Sequence, residues 1–189
     1  SGALSGKTPK RIQASEAFTC TSTTDDKLYC WGDNSAGQVG DGTLGTNRTA
    51  PVAVTGIPTG GFPQFSMGSF FACGLTTGSK VYCWGRNILG ELGDGTINQH
   101  SLPASITMSG ALAGVAGSTH TITGLFSGQS SSCVIYRQTS DGSTTPICWG
   151  NNDKSQLGFL TPTTATTPKA ADSLGAVAGK TLSGISVMY

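Results

Sequence analysis

The chain has 189 residues, among them 28 glycines and six cysteines, with 11% charged side chains and a formal net charge of +1. A charged fraction less than half the usual quarter speaks against electrostatic recognition of nucleic acid or an anionic membrane. A hydrophobic content of 37% can bury a core, which excludes a disordered polyelectrolyte, and no apolar run approaches the ~20 residues of a membrane span.

Residues 1–10 read as a flexible N-terminal segment or an expression remnant, without Met or a signal peptide, and 11–189 as one domain. Next come Cys20 and Cys30, flanking the turn-like Thr24-Asp25-Asp26. Trp31 and a glycine-rich run, Gly37 to Gly42, follow, and then a short strand around Pro51-Val52-Ala53-Val54. A strand from Ser66 to Leu75 includes Cys73, and Lys80 to Trp84 forms another around Cys83. The third pair, Cys133 and Cys148, brackets Ser140-Asp141-Gly142-Ser143. No window carries a sustained helical period with caps; Ala111–Ala116 is short and interrupted by glycine.

The cysteines form three local pairs at separations of 10, 10 and 15 residues, with no Cys-x-x-Cys, which speaks against zinc or thioredoxin-type chemistry. Two strands of a hairpin place such residues face to face, within disulfide reach. The expected pairing is therefore 20–30, 73–83 and 133–148, each worth about 2–3 kcal/mol in the chain-entropy view. Such pairs imply an oxidising compartment, extracellular or at a cell surface; the competing reading is buried free thiols.

The chain also repeats itself. Tyr29-Cys30-Trp31-Gly32, Tyr82-Cys83-Trp84-Gly85 and Ile147-Cys148-Trp149-Gly150 are copies of one phrase. Each is followed by an Asn (Asn34, Asn87, Asn152), a glycine bracket ending at Gly40, Gly93 or Gly158, and later Pro51, Pro103 or Pro168. Repeats are expected at about 11–63, 64–114 and 115–183, with 184–189 opening a fourth. The third copy is longer, and part of the excess falls in Gly124–Ser132. Such insertions map to loops, which makes Leu125, Phe126 and Gln129 a candidate binding loop.

These phrases resemble the RCC1 repeat family, whose pattern is met by Gly68, Cys73, Leu75, Val81, Tyr82, Trp84, Gly85, Asn87, Gly90, Leu92 and Gly93. Gly117-Ser118-Thr119-His120-Thr121 is similar to the family's histidine phrase, putting His120 where the second copy has Phe71. The resemblance implies all-β architecture: about three β-propeller blades of four antiparallel strands, an incomplete or open propeller stapled by hairpin disulfides. Arg11–Ser15 and Ile185–Tyr189 sit where opening strands belong. An open array exposes strand edges.

Candidate chemistry is sparse. His100 and His120 sit in no catalytic phrase, and Asp33, Asp41 and Asp94 lie in turns without an EF-hand pattern. No Gly-x-Ser-x-Gly elbow occurs. Trp31, Trp84 and Trp149 read as repeat core ahead of sugar-stacking platforms, so carbohydrate binding has no support. Neither a catalytic residue nor a cofactor or metal is expected. The expected function is a non-enzymatic extracellular or cell-surface module for protein–protein interaction or adhesion. The alternative is a pilin-like subunit of a surface filament that self-associates through its strand edges.

Overall fold

The computed structural model describes residues 2–108 and 120–171, and in them twelve strands form three four-stranded antiparallel sheets. The first blade holds β1 (Pro9–Ala14), β2 (Phe18–Thr23), β3 (Leu28–Gly32) and β4 (Arg48–Ala53). The second holds β5 (Gln64–Met67), β6 (Phe71–Leu75), β7 (Val81–Gly85) and β8 (His100–Ser105). The third holds β9 (His120–Ser127), β10 (Ser131–Gln138), β11 (Thr144–Asn151) and β12 (Thr164–Ala170). Strands are paired in chain order within each blade. The segments 109–119 and 172–189 lie outside the described residues, and with them the expectations at Ala111–Ala116, Gly117–Thr119 and 184–189.

Each cysteine pair is one rung of the central hairpin: Cys20 faces Cys30, Cys73 faces Cys83, and Cys133 faces Cys148, with Cα–Cα 4.1 Å in all three. All six cysteines are in disulfides. The expected single strand from Ser66 to Leu75 is in fact β5 and β6. The chain reverses at Gly68-Ser69-Phe70, where Gly68 N–H donates to Phe71 O at 2.9 Å. A Cβ on Gly68 would sit 1.9 Å from the Phe71 ring, so only glycine permits the reversal beside that side chain.

Two further expectations are corrected. Pro9 and Lys10 already belong to β1, and Lys7 and Lys10 pair with Asp25 and Asp26 at 3.0 and 2.9 Å, so the flexible reading of 1–10 fails at its end. The insertion around Gly124–Ser132 is mostly strand. Beyond its disulfide rung the β10–β11 hairpin runs four rungs, to Arg137↔Thr144, where the second blade has two, to Leu75↔Val81. β9 lengthens alongside to Gln138↔His120. Extra residues on neighbouring strands pair with each other, which satisfies their backbone groups without a loop. His120 therefore opens β9 and stacks on Tyr136 at 4.6 Å, while Phe71's equivalent, two residues before the cysteine, is Ser131.

The hydrophobic cores lie between blades. One joins Phe18, Leu28, Val39 and Val54 of the first blade to Phe62, Phe65 and Trp84 of the second. The other joins Phe71, Val81 and Leu92 to Leu125, Val134, Trp149 and Phe159 of the third. A single four-stranded blade has too little apolar surface to close on itself, so each repeat folds against its neighbour.

Candidate functional site

The residues that recur in every repeat converge on the junctions between blades. The outer strand of each blade bulges opposite the tryptophan. Cys30 pairs with Val52 but Gly32 with Arg48, and the same jump separates Cys83↔Ala104 from Gly85↔His100 and Cys148↔Lys169 from Gly150↔Ala165. Three outer-strand residues thus oppose one tryptophan, and each bulge ends in proline (Pro51, Pro103, Pro168), which has no N–H to leave unpaired there.

Tryptophan and bulge together grip the preceding blade's bracket. Trp84 Nε1–H donates to Gln38 O at 3.0 Å, and Trp149 Nε1–H donates to Glu91 O at 2.8 Å. Both rings are fully buried. Gly40 and Gly93, at φ 77° and 65°, lie flat on these rings; a Cβ would come within 2.6 Å of Trp84 Nε1 or 2.8 Å of Trp149 Cδ1. In return Gly42 N–H donates to Ser101 O in the bulge at 3.0 Å, and Gly95 N–H donates to Thr166 O at 2.8 Å. Trp31 departs from the core expectation: it is half-buried, because among the described residues no bracket precedes it.

Inside each bracket a buried asparagine acts as a strut. Asn34 Oδ1 accepts from Val39 N–H at 3.1 Å, while its Nδ2 donates to Thr43 O at 3.2 Å. Asn87 repeats this with Leu92 and Thr96, and Asn152 with Leu157 and Phe159. The next polar position clamps the turn: Gln38, Glu91 and Gln156 accept from the N–H of Ala36, Leu89 and Lys154. Glu91 is fully buried and takes Arg86 as counter-ion at 2.9 Å. Arg86 also reaches Ser130 Oγ across the junction at 2.9 Å and lies over the Phe70 ring. The sequence shows the spacing of these Asn and Gln/Glu residues; their strut and clamp roles appear only once the bracket is folded.

The acids of the brackets act locally. Asp41 is opposed by burial, yet the Thr43 hydroxyl and N–H and the Arg48 guanidinium hold its carboxyl below the usual range. Asp94 is likewise lowered against burial, by Thr96, His100 and Asn87, with His100 Nε2 2.8 Å from its Oδ2. Asp33 bonds Ser35 and Gln38. A groove of about 780 Å³ runs between the β2–β3 turn and residues 53–61, lined in part by Asp25, Leu28, Val54 and Ile57. The Thr23 hydroxyl and then Lys7 lower Asp25 to about 2, so this carboxylate is already engaged. Among the described residues, no three His, Cys, Asp or Glu side chains gather as a metal site.

The residues expected to form a binding loop are divided. Leu125 is buried in β9 within the core between the second and third blades. Phe126 is half-buried in the same strand, opposite Cys133. Gln129 alone is in the turn and exposed; its carbonyl accepts from Ser69 N–H at 3.1 Å, so its backbone stitches two blades. Among the aliphatics that do face solvent, Leu44 and Ile97 share one position of the first two brackets, at 53% and 61% exposed.

Two family profiles, both for the Regulator of chromosome condensation (RCC1) repeat, match: one at residues 10–38 and 64–91, the other at 25–75 and 79–135. Human E3 ubiquitin-protein ligase HERC2 is 28% identical over 162 residues, 84% of this chain and 3% of that protein. Ultraviolet-B receptor UVR8 of Arabidopsis thaliana is 34% identical over 104 residues, 55% of this chain and 23% of the receptor. The chain thus spans a minor part of either relative. Among solved structures, human WBSCR16 is similar with a TM-score of 0.71 at 19% identity, covering 92% of this chain and 42% of that one. Yeast RCC1 (Prp20), in its complex with Kap60, gives 0.70 at 18% identity, covering 89% and 38%.

Proposed function

From the premise that the chain belongs to the RCC1 repeat family, we propose that it is a non-enzymatic protein-binding module working outside the cell or at its surface. The observation that carries this reading is the staple repeated at one register in every blade, which uses all six cysteines. Disulfides at that density persist where the surroundings are oxidising. Protein binding is supported by the solved complex of yeast RCC1 with Kap60 and by Leu44 and Ile97, which stand in solvent on consecutive blades without serving either core.

Each half has its own test. A membrane-impermeant biotin reagent applied to intact producing cells is expected to label the chain, with no thiol free to alkylate before reduction. Labelling only after lysis, or six free thiols, would refute the extracellular half. A benzophenone side chain placed at position 44 or 97 is expected to crosslink to protein on the intact surface. Crosslinks to polysaccharide alone, or none, would overturn the binding half.

A further inference from the structure

The three brackets are not equivalent on their trailing face. Gly37 and Gly90, at φ 80° and 73°, lie directly under backbone of the next outer strand. A Cβ there would stand 2.8 Å from Ser101 Cα or 2.8 Å from Ala165 O. Gly42 and Gly95 donate to the same strand and lie under Leu102 and Thr167. Counting from the asparagine, the third bracket carries Ser155 (φ 57°) in place of the first pair and Leu160 in place of the second, and Leu160 is 81% exposed. The third bracket keeps Gly158 where Gly40 and Gly93 meet the next tryptophan, but carries a side chain at the position that lies under a following blade's backbone and at the one that donates to it, where a Cβ alone would meet only ordinary side-chain contacts.

The opposite end shows no such change. The first blade keeps the tryptophan, Trp31, and the outer bulge from Thr49 to Pro51, in register with Ser101–Pro103 and Thr166–Pro168. Ala50, at the place of Leu102 and Thr167, is small enough to ease a meeting with Leu160, but the Thr49 backbone has no means of making room for the Ser155 Cβ.

We infer that Ser155 is a steric stop, with Leu160 crowding the space beside it, which closes the third blade's trailing face to any further blade in the junction geometry, including the first blade of a second copy. The first blade's leading face, which no bracket among the described residues covers, is complementary to a glycine-bracketed edge of this same repeat type. Continuity with the two internal junctions, where Trp84 and Trp149 make that contact, identifies this occupant. The stop blocks head-to-tail growth of the chain on itself, a route that would otherwise lead to rings or filaments.

Sedimentation velocity over a concentration series tests this. Wild type is expected to show no association that depends on Trp31. The double variant S155G/L160G supplies the missing glycines and is expected to self-associate at least about tenfold more tightly, and adding W31A is expected to return it to the wild-type state. S155G alone should show part of the gain, so the test survives poor folding of the double variant. Two results overturn the inference: S155G and S155G/L160G associating no better than wild type while retaining the native disulfide map, or wild type assembling in a way that W31A abolishes.

Discussion

The second and third blades share a plan and differ in where they depart from it. Toward the blade before, they are interchangeable: a fully buried tryptophan donates to a bracket carbonyl, and a bulge ending in proline accepts a glycine N–H. Toward the blade after, they part, with Gly90 and Gly95 in one and Ser155 and Leu160 in the other. Their hairpins part as well, since the third runs two rungs further. The difference shows what holds the repeat in place. At the position that lies under a neighbour's backbone, glycine is kept in the first two brackets and gives way to Ser155 in the third, where none of the described residues presses on it.

The largest effect that would break this comparison is at the tryptophans. Trp84→Ala empties the core between the first two blades, at a cost of about 3–5 kcal/mol. Trp31→Ala touches a half-buried ring and should cost less than half of that. Urea unfolding of the two variants measures the gap. Equal losses would mean that the repeat position itself, rather than contact with a preceding bracket, determines the tryptophan's contribution.

This gap also marks what the sequence could show. The period, the hairpin pairing of the cysteines and the all-β plan are legible because each is a matter of spacing between like residues. Trp31 looks identical to its two counterparts in the chain, and only the presence or absence of a preceding bracket distinguishes them. Leu125 misled for a related reason. Extra length reads as a loop in the sequence, but extra residues on two adjacent strands extend the ladder, and the alternation of faces then turns Leu125 into the core. The asparagine struts were visible only as a recurrence, because their partners, such as Thr43 O and Thr96 O, lie nine residues away.

Next in size come the staples. Replacing Cys73 and Cys83 together by alanine should cost about 3 kcal/mol, and the same change at Cys133 and Cys148 slightly more, since loop entropy grows slowly with length. A markedly smaller loss in the third blade would show that its longer ladder holds the hairpin without the disulfide. The glycine comparison follows at about 1–3 kcal/mol, the usual cost of overfilling a packed site. Gly90→Ser should lose that amount, and Ser155→Gly should leave thermal stability nearly unchanged. Similar losses for both would mean that the two positions are equally enclosed, contrary to the contacts of their brackets.

The smallest effect separates the brackets by acid. Asp94 has its carboxyl lowered in the folded chain, against burial, by Thr96, His100 and Asn87. A group whose folded pKa lies below its unfolded one stabilises fully above the unfolded value of about 3.9 and loses that contribution as pH falls through the folded value. The second bracket should therefore loosen below about pH 4. The third bracket has Phe159 at this position, and its carboxylate, Asp153, is exposed and engaged by Lys154 rather than by the asparagine strut. Amide exchange at Leu92, whose N–H is held by Asn87, should quicken there, while exchange at Leu157, held by Asn152, should not. Asp94→Asn should remove most of the pH dependence at Leu92. If Leu92 and Leu157 quicken together, acid is acting on the junction as a whole and the Asp94 contacts are not the sensitive element.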